Sequence, residues 1–173
     1  MNRSTISLGR ILGIPIGLDY SWFLIFGLLT WSLATSYYPA EFANWSTIQY
    51  WIVGALTVIL MFASVLLHEL GHSAVALHYK IPVRNITLFI FGGVAQIGSE
   101  PPNAAAEFWI AIAGPATSFA LALFFWLLHF LVASFTPVLA LVGYLAIING
   151  SLGLFNLIPG FPLDGGRVFR AIL

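Results

Sequence analysis

Cysteine is absent from this 173-residue chain, which excludes disulfides and thiolate-bound metals and leaves the redox compartment unreadable. Charge is nearly as scarce. Only 7% of the residues are Asp, Glu, Lys or Arg, against about 25% in a typical globular chain. The six cations balance the six anions, so no basic footprint suggests a nucleic-acid partner. Repeats and low-complexity linkers are missing too. What fills the chain is apolar: 60% of it is hydrophobic. Helices of that composition are apolar all round, as membrane spans are, so the expected surroundings are a lipid bilayer.

Four apolar stretches, 18–38, 51–79, 104–135 and 137–158, are each long enough for the roughly 20 helical residues that a bilayer requires. The second exceeds that length, so its end projects into the headgroup region or the helix tilts. The opening "MNRSTISLGR" could begin a signal peptide. No A-x-A cleavage site follows the first span, however, and aromatic residues flank it, so it reads as an uncleaved anchor. With four crossings, Arg3, Arg10, Lys80, Arg84, Arg167 and Arg170 all fall on one side. The positive-inside rule then places both termini in the cytoplasm, and a multi-pass protein of the plasma membrane is expected.

Between the second and third spans, "ITLFIF", Gly92-Gly93 and "VAQIG" read as a β-hairpin over about 83–98. It is too apolar for the cytosol and too short to cross as a helix, which suggests re-entry from the cytoplasmic side between neighbouring helices. Asn103 is placed to N-cap the third span, with Glu107 in its first turn. The expected fold is therefore an all-α membrane protein of about four transmembrane helices with one re-entrant β-hairpin, a single domain over 1–173. Gly114 and Ser118 have the small-xxx-small spacing of close helix packing. The six tryptophans read mostly as interfacial anchors.

Within the second span, "HELGH" sets His68 and His72 four residues apart, so both imidazoles leave one helix face about a turn apart. Ser64 and Ala76 continue that face and leave room around the pair. Glu69 is rotated off it by roughly 100°. This is H-E-x-x-H, in which two neutral histidines hold Zn²⁺ and the glutamate, itself not a ligand, acts as the base.

A catalytic zinc usually takes three protein ligands. His68 and His72 lie toward the cytoplasmic end of their span, which sets aside Glu41 and His129 and leaves Asp19, His78, Glu100, Glu107 and Asp164. Asp19 reads as a helix-terminal charge, Glu100 as a loop residue and His78 as interfacial. Asp164 differs in its setting. In "FNLIPGFPLDGGR" (155–167), Pro159, Gly160, Pro162, Gly165 and Gly166 forbid a regular helix. At membrane depth, such a break is tolerated where it lines a site. Asp164 is then a candidate oxygen ligand, with Asn156 a nearby side-chain donor; the alternative is a plain turn in which Asp164 caps the next helix.

"HELGH" followed by "NLIPGFPLDGGR" resembles the paired motifs of the site-2 protease family of intramembrane zinc metalloproteases. "GRILGIPIGLDYSWF", "FGGVA" and "EFWIAIAGPATS" are similar to its prokaryotic branch, whose members often carry CBS domains. The resemblance implies one zinc per chain bound by His68, His72 and Asp164, with Glu69 as general base and acid and Asn156 supporting the oxyanion. It also implies peptide hydrolysis in or near the transmembrane segment of a single-span membrane-protein substrate, as in regulated intramembrane proteolysis. The hairpin is similar to an element that meets an unwound substrate strand. Family members usually continue with further spans, and this branch often adds a regulatory domain; this chain stops at "RVFRAIL" and so reads as a catalytic core, either part of a longer protein or a naturally short form. Two other readings stay open: a divalent-metal transporter, in which Glu69 would itself be a ligand, and an inactive membrane scaffold.

Overall fold

The computed structural model describes residues 5–132 and 135–173. It opens with a β-hairpin that the sequence reading missed. Strands β1 (Thr5–Ile11) and β2 (Ile14–Asp19) pair antiparallel. Their turn places Leu12 and Gly13 at positive φ, 53° and 78°, the backbone sense that matches the twist of a two-residue hairpin. The Asp19 carboxylate then accepts a 2.9 Å hydrogen bond from the Ser21 amide, where helix α1 (Ser21–Ser32) begins. A π turn over Leu33–Tyr37 and the short α2 (Tyr38–Glu41) continue the helical path.

Helix α3 (Thr47–His78) starts at a capping box in which the Ser46 amide donates to Gln49 Oε1 at 2.8 Å. It stops at Lys80, whose φ of 61° turns the chain back so that the Ile81 amide reaches the Ala76 carbonyl at 2.9 Å. The anticipated hairpin follows as β3 (Val83–Phe89) and β4 (Gly92–Ile97). It does not stand alone. Strand β3 pairs parallel to β2, with Ile16 opposite Ile86 and Leu18 opposite Leu88, giving a four-stranded sheet in the order β1-β2-β3-β4. Buried Ile14, Ile16 and Ile86 pack the sheet onto Leu70 of α3, which sets β4, an edge strand, beside the H-E-x-x-H turn.

Helix α4 (Ala104–Leu131) is capped as anticipated, Asn103 Oδ1 accepting from the Ala106 amide at 2.8 Å. Helix α5 (Thr136–Asn156) leads through the break at 157–163 to α6 (Asp164–Ile172). Helices α3, α4 and α5 are each long and apolar enough to cross a membrane. The all-α expectation is corrected by the four-stranded sheet, whose first half comes from residues read as the lead-in to an anchor. The first predicted stretch, 18–38, is divided: Leu18 and Asp19 belong to β2, and the rest follows α1, the π turn and the start of α2. Helices α3, α4 and α5 lie within a few residues of the other three predicted stretches, apart from 133–134, which fall outside the described residues.

Close approach of α3 and α4 depends on Gly71. A Cβ there would overlap Thr117 Oγ1 and come within 2.9 Å of the Ala113 carbonyl oxygen. At the other end of α4, Glu107 is paired as well as favourably placed in its helix. Arg170 of α6 donates to it through Nε at 2.8 Å and through Nη2. The pair joins α6, and with it Asp164, to α4. Reversing one charge by Arg170→Glu should raise amide hydrogen exchange over 164–172. The double reversal Glu107→Arg/Arg170→Glu should bring exchange back toward wild type, which hydrogen–deuterium exchange mass spectrometry can read.

Candidate active site

The i, i+4 spacing on α3 does what helical geometry requires. His68 and His72 face the same side, both buried, at 3% and 4% exposure. From the opposite wall, the first turn of α6 brings in Asp164. Its Oδ2 lies 3.2 Å from His68 Nε2 and 3.1 Å from His72 Nε2, and the two Nε2 atoms are 3.1 Å apart. The three residues form a group able to hold a metal ion.

The outer nitrogens decide which atoms face the centre. His72 Nδ1 lies 2.6 Å from the Ile110 carbonyl oxygen, which can only accept, so the proton sits on Nδ1 and Nε2 presents a lone pair. His68 Nδ1 meets Ser118 Oγ at 2.8 Å, which holds the second ring in register. Both contacts come from α4. Two imidazole lone pairs and a carboxylate oxygen then converge, an arrangement that repels unless a cation lies among them. Tetrahedral zinc with bonds of about 2.0–2.1 Å would set its ligands about 3.3 Å apart, close to the observed edges. The donor set therefore fits a zinc ion.

Glu69 stands outside this trio and beside it. Half-buried, it leans on the hairpin. A Cβ on Gly93 would come within 2.8 Å of Glu69 Cγ, and the backbone of Ala95 hydrogen-bonds the carboxylate. His68, Glu69, His72, Asn156, Asp164 and Arg167 line one cavity of about 360 Å³, closed on another side by the Phe91–Ala95 stretch of the hairpin. Asn156 Nδ2 donates 3.0 Å to the Leu152 carbonyl of its own helix; an amide nitrogen has a second hydrogen, which leaves a donor for the cavity.

All the residues named from the sequence for the site, His68, Glu69, His72, Asn156 and Asp164, meet in this cavity. Asp19, His78, Glu100 and Glu107 lie outside the metal-holding trio, and His129 packs instead against Gly143 on α5. Gly114 and Ser118 have more to do than pack helices. A Cβ on Gly114 would overlap His72 Nε2 and sit 2.6 Å from His68 Nε2, so only glycine leaves space for an ion there. Their spacing signalled closeness to another helix but not that the neighbour would be an imidazole pair.

The family model described as peptidase family M50 matches residues 56–138 and 131–173. Zinc metalloprotease Rip3 of Mycobacterium tuberculosis is 44% identical over 174 residues, covering 99% of this chain and 44% of that protein. Zinc metalloprotease sll0528 of Synechocystis is 45% identical over 171 residues, covering 99% of this chain and 45% of its own length. The chain thus spans less than half the length of these relatives. The solved structure of the site-2 protease from Methanocaldococcus jannaschii matches with a TM-score of 0.68 and 35% identity, covering 97% of this chain and 71% of that one.

Two substitutions on α4 test the centre without touching a candidate ligand. Gly114→Ala should abolish zinc retention, because its methyl occupies the space between the imidazoles. Ser118→Ala should weaken zinc affinity about 10–100-fold by releasing the His68 ring. Competition with a zinc chelator measures both.

Proposed function

The chain belongs to peptidase family M50, and from that premise we propose that it is the catalytic core of a zinc-dependent intramembrane endopeptidase. The observation that carries the reading is the trio His68, His72 and Asp164 in an apolar interior, with Glu69 next to it but outside it. A transporter would use such a carboxylate as a ligand on the path of the ion; a hydrolase needs it poised and unbound.

In this reading His68 Nε2, His72 Nε2 and Asp164 Oδ2 hold one zinc. Bound there, zinc supplies Lewis-acid polarisation of the scissile carbonyl and lowers the pKa of water toward about 7. Glu69 takes a proton from the attacking water and passes it to the leaving amine. Its place against the hairpin keeps the carboxylate directed into the cavity, where both partners of that transfer must be. The free Nδ2 hydrogen of Asn156 is a preorganised donor for the developing oxyanion. Ile110 and Ser118 fix the ring orientations on which the whole set depends.

The substrate is a single-span membrane protein. A helical segment shields its peptide bonds with its own hydrogen bonds, so it must unwind before attack. Strand β4 lies at the edge of the sheet and lines the cavity, which supports pairing of the unwound segment with its free edge. The helical path 21–41 supports a fourth crossing, because at about 1.5 Å per residue it is long enough to span and exposes Phe23, Leu24, Leu28 and Trp31. With it, the cations of the chain gather on one side. Both termini then face the cytoplasm, the hairpin enters the plasma membrane from that side, and water has a short path to the centre.

Purified protein in detergent tests the assignment. Glu69→Gln should retain about one zinc per chain yet lower cleavage of a single-span substrate about 10²–10⁴-fold. Asp164→Ala should lose the metal. Asn156→Ala should keep it and lose about a hundredfold in kcat. Loss of zinc from Glu69→Gln would instead make Glu69 a ligand and favour transport.

A further inference from the structure

One charged group in the cavity, Arg167, takes no part in the proposed chemistry. Arg167 is half-buried and lines the same space as His68, Glu69 and Asp164. It follows Asp164 by three residues on α6, so both side chains rise from one helix face. Ion pairing does not explain it: Arg170 on the same helix holds Glu107, whereas Arg167 makes no ion pair or hydrogen bond to another described residue. An arginine that lines a cavity without a carboxylate partner is a donor in want of an acceptor, since its guanidinium offers five N–H groups and no lone pair.

The peptidase reading, on which this inference rests, defines the missing acceptor. A peptide laid along the free edge of β4 pairs only one side of its backbone. The carbonyls on its other side face the wall formed by the end of α5, the break and the start of α6, and lose their contact with bulk water there. An unpaired carbonyl in such surroundings is costly. On that wall Asn156 and Arg167 are the side-chain N–H donors. Asn156 has one hydrogen to spare and is assigned to the oxyanion. We propose that Arg167 binds the main-chain carbonyl oxygens of the extended substrate strand on the edge that β4 leaves unpaired, so that α6 both ligates the metal through Asp164 and clasps the peptide through Arg167.

A planar fork of donors suits this task because it can hold a carbonyl whatever side chain the substrate carries. The contact is made to the bound strand before and during reaction, so its loss should act mainly on KM. Asn156 differs in this respect, since its contact forms only as negative charge develops and its loss acts on kcat.

The test uses zinc-loaded protein in detergent and a fluorescein-labelled single-span peptide of about 20 apolar residues with a central Gly-Pro pair to ease unwinding. Affinity is read by anisotropy in the Glu69→Gln background, where the peptide is not cut, and KM and kcat are read in the background with Glu69 intact. Arg167→Gln should weaken peptide binding and raise KM on the order of tenfold, with zinc content unchanged and kcat nearly so. Arg167→Lys should recover part of the loss, since it restores donors but not the fork. Unchanged affinity and KM in Arg167→Gln, beside a wild type that binds and cleaves the peptide, would overturn this inference alone. Loss of zinc from Arg167→Gln would also overturn it, by making Arg167 a support for Asp164. A wild type that holds zinc but binds no peptide would overturn the peptidase reading and this inference with it.

Discussion

Three lone-pair atoms, His68 Nε2, His72 Nε2 and Asp164 Oδ2, converge within 3.2 Å of one another. Left to themselves they repel, and much of the surrounding structure serves to hold them together. Helix α3 supplies two of them by its period alone. The third arrives on a separate helix whose start is set by a break in the chain and whose far end is tied to α4 through Arg170 and Glu107. In the proposed centre, a divalent cation would turn this repulsion into an interaction that joins α3 to α6.

Helix α4 is the least conspicuous partner and the one on which the centre leans most. It gives no ligand, yet Ile110 and Ser118 orient the two rings and Gly114 vacates the space between them. The sheet plays a comparable part for Glu69. Gly93 and Ala95 hold that carboxylate against the hairpin and apart from the ligands. Separating a base from a metal by a small distance is the difference between a hydrolytic site and a binding site.

Legibility in the sequence followed the range of the interactions. H-E-x-x-H was readable because a helix fixes the relation of residues four apart, and the Asn103 cap and the Gly92-Gly93 hairpin were readable for the same local reason. Asp164 was readable at long range only because Pro and Gly around it broke an otherwise apolar helix. The N-terminal hairpin was not. Its turn is Leu12-Gly13, with a leucine at positive φ where Asn or Asp would have signalled a turn, and its strand β2 pairs in parallel with β3 across four intervening helical elements. Likewise nothing local distinguishes a glycine that packs on a neighbouring helix, as Gly71 does, from one that packs on two imidazoles, as Gly114 does.

The central claim is that His68, His72 and Asp164 form the protein's ligand set and Glu69 does not. X-ray absorption at the zinc edge of the metal-loaded protein tests it most directly, because multiple scattering counts imidazoles and the near shell reports the oxygen donors. The account predicts two imidazoles with N/O distances of about 2.0–2.2 Å, a spectrum unchanged by Glu69→Gln, and an altered shell in Asp164→Asn. A shell lacking the imidazole pair, or one altered by Glu69→Gln but not by Asp164→Asn, would contradict it.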